Sequence, residues 1–175
     1  MSDWTDLSPF SVCPPSPAVA VEKALAKLAL DPAERAQRLA VCKEALSWLG
    51  TRFHHQGRAK AGGVDCGMLV AEVYERTGTT PHLDFEPYVW DWGFHSPRER
   101  FLEQCEAWGH QVDTPLPGDV ALFKYGLAAS HIAIVLVWPQ VVHAFVHQGV
   151  VLEDALGNVD LGSRLVGFWS PWGKQ

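Results

Sequence analysis

Three observations predict an α+β domain in which N-terminal helices pack on a C-terminal antiparallel sheet. Helix caps and stops crowd the chain up to about residue 110. Short β-branched and aromatic runs crowd it after residue 115. The two kinds of segment do not alternate, which argues against βαβ units and a parallel sheet. The 175 residues suffice for one such domain with a sizeable core.

The elements follow in order. Residues 1–17 are rich in proline and serine and read as an irregular arm, and residues 18–30 have helical composition. The arm and first helix, residues 1–37, are set apart from a domain over residues 38–175. Asp31, Pro32 and Glu34 give an N-cap, a first-turn proline and a capping-box glutamate. The helix they open carries a stripe at Leu39, Cys42, Leu46 and Leu49 and stops at Gly50. "TRFHHQGRAKAGGV" is a loop. A helix is predicted from about Asp65 to Thr77, with Gly78 as its stop. Residues 79–97 form a long irregular connection, and such connections are often binding loops. Ser96, Pro97 and Glu99 then read as another helix start, with Phe101, Leu102, Cys105 and Trp108 on its apolar side. The runs "PGDVALFKY", "SHIAIVLVW", "VVHAFVH", "GVVLEDA" and "RLVGFWS" are the predicted strands.

Composition excludes several classes. Apolar residues make up 47% and charged ones 19%, which is not a disordered chain. A net charge of −6 without a basic run argues against nucleic acid as partner. No stretch approaches the roughly 20 apolar residues of a membrane span. The first residues lack a basic segment followed by an apolar block, so synthesis in the cytoplasm without a signal peptide is the expectation. Cys13, Cys42, Cys66 and Cys105 include no CxxC pair, which disfavours zinc, and without a secretory leader a disulfide framework finds little support.

Cys66 stands out among the four. It sits in the first turn of its helix, where unsatisfied N–H groups and the helix dipole favour thiolate over thiol. The same amides can stabilise an oxyanion one bond from the sulfur. Gly62, Gly63 and Gly67 leave room for a substrate backbone. Against this, cysteine is among the residue types most often simply buried.

A nucleophile needs a base, and His131 and His143 lie on consecutive strands joined by a hairpin near Pro139. They are equidistant from Val137, so they oppose each other on one face if the hairpin centres there. A tight two-residue turn would put them on opposite faces unless a bulge intervenes. The expectation is therefore an odd turn or a bulge. His131 would take the thiol proton and His143 would orient it. A metal held by the same three residues ranks lower, since no further ligand is evident.

The stretches "GTRFHHQGRAKAGGVDCGMLV", "LPGDVALFKY", "SHIAIVL" and "VVHAFVHQGVV" together resemble the NlpC/P60 cysteine peptidases, over roughly residues 38–170. The likeness is closest to the phage and gene-transfer-agent branch of cell-wall peptidases. It implies a papain-like fold, no cofactor, and hydrolysis of amide bonds in peptidoglycan stem peptides, often between D-glutamate and the diamino acid. It implies Cys66 as nucleophile, His131 as base, His143 as third polar residue, and Asp65 as support for the helix start. Many relatives have serine where this chain has Gly67, and tyrosines where it has Phe53, His54 and His55. His54 or His55, with His55 preferred, is the candidate substitute for an oxyanion-stabilising hydroxyl. Tyr88, Trp90 and Trp92, within residues 82–95, are the candidate groove. Phage tail proteins are the expected partners, with the chain carried on a virion or tail. The alternatives are a papain-like acyltransferase or amidase on another substrate, and a tail structural subunit with a vestigial site.

Overall fold

The computed structural model describes residues 15–173. The irregular arm expected over residues 1–17 lies outside them up to Pro14, as does Cys13. The helices are α1 (Pro17–Ala26), α2 (Pro32–Leu46), α3 (Cys66–Arg76), α4 (Trp92–His95), α5 (Arg100–Trp108) and α6 (Val159–Gly162). The strands are β1 (Arg58–Ala59), β2 (Gly63–Val64), β3 (His110–Val112), β4 (Val120–Tyr125), β5 (Ala128–Val137), β6 (Gln140–Phe145), β7 (Gly149–Asp154) and β8 (Leu165–Ser170). Among the described residues, β3 to β8 form one antiparallel sheet in the order β3-β8-β4-β5-β6-β7, and β1 and β2 form a separate small hairpin. No helix among them is long and apolar enough to cross a membrane. This is the predicted α+β arrangement of helices followed by a C-terminal antiparallel sheet.

Two apolar clusters hold the sheet. Val21 and Leu25 of α1, Val41, Cys42 and Ala45 of α2, Leu69, Val70 and Val73 of α3 and Phe101 and Cys105 of α5 pack against Leu122, Ile132, Ile134 and Leu136. Ala121, Phe123, Ala133, Val135, Val141 and Phe168 line the other face and pack with Ala155 and Leu161. Each large side chain so buried stabilises the fold by roughly 1.5–3 kcal/mol. The α1 helix shares the core of the rest, and α2 runs unbroken through residues 37 and 38.

Two local expectations need correction. The buried side of α2 is Arg38, Val41, Cys42 and Ala45, continuing to Trp48, while Leu49 is 42% exposed. Arg38 belongs on that side because Glu34, Asp119 and the Pro117 carbonyl all bond its guanidinium. The helix predicted from Ser96 starts instead at Arg100. Ser96 precedes Pro97 and is extended (φ −136°, ψ 133°), and its hydroxyl accepts from Arg98 N in a turn. Glu99 is drawn away to accept from Ala129 N at 2.7 Å, so no capping box closes. Sequence reading also missed five short elements of two to four residues: the β1–β2 pair inside the stretch read as a loop, α4 inside the connection over residues 79–97, and β3 and α6.

The β5–β6 hairpin has a tight turn at Trp138 and Pro139, between the paired Val137 and Gln140. A bulge at Leu136 then shifts the register to Val135↔Val141 and Ile134↔Val142. These pairs centre on Trp138, not Val137. His131 and His143 therefore share a face, as diagonal neighbours instead of a directly opposed pair.

Candidate active site

The α3 helix begins at Cys66 because Asp65 caps it. Asp65 is extended, and its Oδ1 accepts from Met68 N at 2.9 Å. Its Oδ2 accepts from Gln56 N and from the Tyr88 hydroxyl, both at 2.8 Å. One buried carboxylate thus ties the loop before the helix, the helix start and the loop after it. The cap uses the Met68 amide and leaves those of Cys66 and Gly67. Both, with the Ile132 amide of β5, favour a charged sulfur. Burial outweighs them, with help from the Asp65 charge, and pushes the thiol up to about 12. Cys42 and Cys105 are buried core thiols, as expected from the sequence.

His131 and His143 lie on the sheet face of Ala133, Val135 and Val141, away from α1, α2, α3 and α5, whereas α3 holds the thiol on the opposite side. They meet where the sheet splits. Pairing of β5 with β6 stops at Ile134↔Val142, while β6 stays paired with β7 to Phe145. In that split lies a cavity of about 240 Å³ lined by both Cys66 and His131, with Phe53, Trp90, Phe94, Tyr125 and Phe145 among its walls. The side chains lining it include no Asp, Glu, Lys or Arg. Tyr125 and Phe145 pack edge-on to the His131 ring at 5.7 and 5.9 Å.

His131 Nε2 lies 2.9 Å from His143 Nδ1, and His143 Nε2 lies 2.9 Å from Glu153 Oε2. Burial, and then its neighbour His143, hold His131 well below the usual imidazole range. Burial also lowers His143, against the pull of Glu153. Both rings are thus neutral at pH 7, beside a neutral thiol. Cys66 and His131 open on one cavity, the placement that proton transfer from sulfur to imidazole requires. Sequence reading did not single out Glu153. It lies two residues from Val151, the β7 partner of His143, and so on the same face. That alternation was the available signal.

The other expected site residues fall into two groups. Trp90 lines the cavity and is 65% exposed. Trp92 does not line it: it is 4% exposed and packs on Phe101 in the core. Beside it the backbone of α4 lies directly on the β5 bulge, where a Cβ on Gly93 would fall within the Ser130 side chain. His55 is outside the cavity lining. Its Nε2 donates to the Tyr88 carbonyl at 2.6 Å, and its Nδ1 lies 3.5 Å from Asp65. Tyr88 reaches the site from beneath: its hydroxyl meets Asp65, and burial keeps the phenol protonated. The Phe101 ring, with the Tyr88 hydroxyl beside it, explains Gly67. A Cβ there would lie 2.9 Å from the Phe101 ring and 3.3 Å from the Tyr88 hydroxyl.

A family model described as the NlpC/P60 family matches residues 50–169. A search of curated proteins found no match. Among solved structures, the chain is similar to a protein from Staphylococcus aureus described as similar to lipoprotein, NLP/P60 family (18% identity, TM-score 0.58, covering 83% of this chain and 43% of that one). It is also similar to an NlpC/P60 family protein from Bacillus cereus (18% identity, TM-score 0.54, 75% and 39%). A third is NlpC2 from Trichomonas vaginalis (16% identity, TM-score 0.52, 77% and 47%). At these identities the likeness is one of fold, and the chain spans less than half the length of each.

Proposed function

Because the chain belongs to the NlpC/P60 family, we propose that it is a cysteine peptidase that hydrolyses an amide bond in peptidoglycan stem peptides, of the D-glutamyl–diamino acid type. The observation that carries this reading is the shared cavity. Cys66, at the start of α3, and His131, on β5, line one opening, with His143 hydrogen-bonded behind His131. In this reading the thiol proton passes to His131 as the sulfur attacks the amide carbon. The N–H groups of Cys66 and Gly67 face the charge that develops on oxygen. The tetrahedral intermediate collapses, and the amine leaves with the proton from His131. Water, deprotonated by His131, then hydrolyses the thioester and frees the acid and Cys66. The likeness of the tryptophan-bearing loop to the phage and gene-transfer-agent branch supports a place on a phage or phage-like tail, acting on the cell wall.

The test is release of new amine groups from purified peptidoglycan. Wild-type protein should release them, and Cys66→Ala should fall to the uncatalysed background. Equal release by both would refute the mechanism. One observation favours a second reading, acyl transfer to or from another substrate: the cavity walls are largely aromatic and include no Lys or Arg to pair with an anionic stem peptide. Mass spectrometry of the thioester formed on Cys66 would separate the two by the acyl group retained.

A further inference from the structure

The structure assigns a positioning role to Glu153 and Asn158: together they fix which ring nitrogen of His131 carries its proton, and so leave Nδ1 free to receive one from Cys66. This rests on the reading of Cys66 and His131 as nucleophile and base.

The chain of constraints starts at α6. Asn158 caps that helix, its side-chain oxygen accepting from Asp160 N at 2.8 Å and Leu161 N at 3.3 Å. The cap decides which end of the amide is nitrogen. Nδ2 therefore points the other way and donates to Glu153 Oε1 at 2.6 Å. The second oxygen of Glu153, a carboxylate with no proton to give, accepts from His143 Nε2 at 2.9 Å. A neutral imidazole has one ring proton, so His143 Nδ1 is a lone pair. His131 Nε2, 2.9 Å away, must donate to it. The one proton of neutral His131 is then on Nε2, and Nδ1 is the basic nitrogen. Every link has a single permitted direction: the α6 cap orients the Asn158 amide, and the carboxylate between them orients both rings. Were Glu153 a donor, both rings would switch tautomer, and His131 would present an N–H to the thiol in place of a lone pair.

Glu153→Gln poses that case. The glutamine has one acceptor, and Asn158 still presents a donor, so the amide NH2 faces His143. Nitrogen-15 NMR should show His131 protonated on Nε2 in the wild type and on Nδ1 in Glu153→Gln. Alkylation of Cys66 by iodoacetamide at pH 7 should slow by at least about tenfold, as for a wrong tautomer elsewhere. The double variant Glu153→Gln/Asn158→Asp reverses the switch. The introduced aspartate caps α6 with one oxygen and accepts the glutamine NH2 with the other, so the glutamine oxygen again faces His143. Its alkylation rate should return to within about threefold of wild type, a rescue that mere packing would not give. A wild-type His131 protonated on Nδ1 would overturn the assignment. So would an unslowed single variant, or a double variant that melts like wild type yet alkylates no faster than the single one. If either variant fails to fold, the wild-type spectrum decides. Alkylation requires no substrate, so a negative cell-wall digest leaves this test standing.

Discussion

Gly67 shows how a single absent side chain shapes the site. In the sequence it stood out as room for a substrate backbone and as a departure from relatives with serine; in the structure it is buried against side chains of the protein itself. Its cause is Phe101, which is distant in the chain, together with the Tyr88 hydroxyl. Gly67→Ser would push its Cβ into the Phe101 ring and should cost about 1–3 kcal/mol, measured by urea unfolding. Pairing it with Phe101→Leu should recover part of the loss. An unaffected single variant would show that the ring moves freely. Cys66 itself was legible, since a helix cap followed by cysteine needs no partner from elsewhere. The partnership of Asp65 with Tyr88 was not, because a hydrogen bond across a loop leaves no periodicity to read.

At the level of elements, the helix start at Asp31 and the end of α3 at Gly78 were plain in the sequence, because caps act within one turn. The motif at Ser96 misled for the opposite reason. Its glutamate found a better partner outside the helix, the Ala129 amide beside the β5 bulge that precedes His131. Glu99 thereby anchors the strand that presents the imidazole. Glu99→Ala would strand that amide and should cost about 2 kcal/mol, while Glu99→Gln keeps an acceptor and should cost about half as much. Thermal midpoints measure the difference. Equal losses would mean that the carboxylate contributes nothing through this bond. The strands were legible from their β-branched runs, and the need for a bulge followed from parity. Only its place, at Leu136, required the structure.

For the molecule as a whole, the buried titratable groups set a pH window. His131 and His143 have folded values below the ordinary 6.5. The unfolded chain therefore takes up protons below that pH which the native state refuses, and stability falls as pH drops through it. Cys42 and Cys66 have folded values raised from 9.0 to about 12, and Cys105 is raised as well. Above about pH 9 the unfolded thiols lose protons that the native ones keep, so stability falls again as pH rises. Between the two limits these groups contribute no slope. Midpoints of thermal unfolding recorded from pH 5 to 11 should trace such a plateau. Cys66→Ala should soften its alkaline edge, and an unchanged edge would mean the thiol is less enclosed than its surroundings suggest. A last consequence concerns insertions and deletions. With the bulge at Leu136 restoring what the tight turn at Trp138 and Pro139 inverts, the alignment of the two rings depends on whether the intervening segment is odd or even, more than on its length. The hairpin should tolerate residues gained or lost in twos. A change of one, however conservative, would leave two well-formed strands carrying their imidazoles back to back.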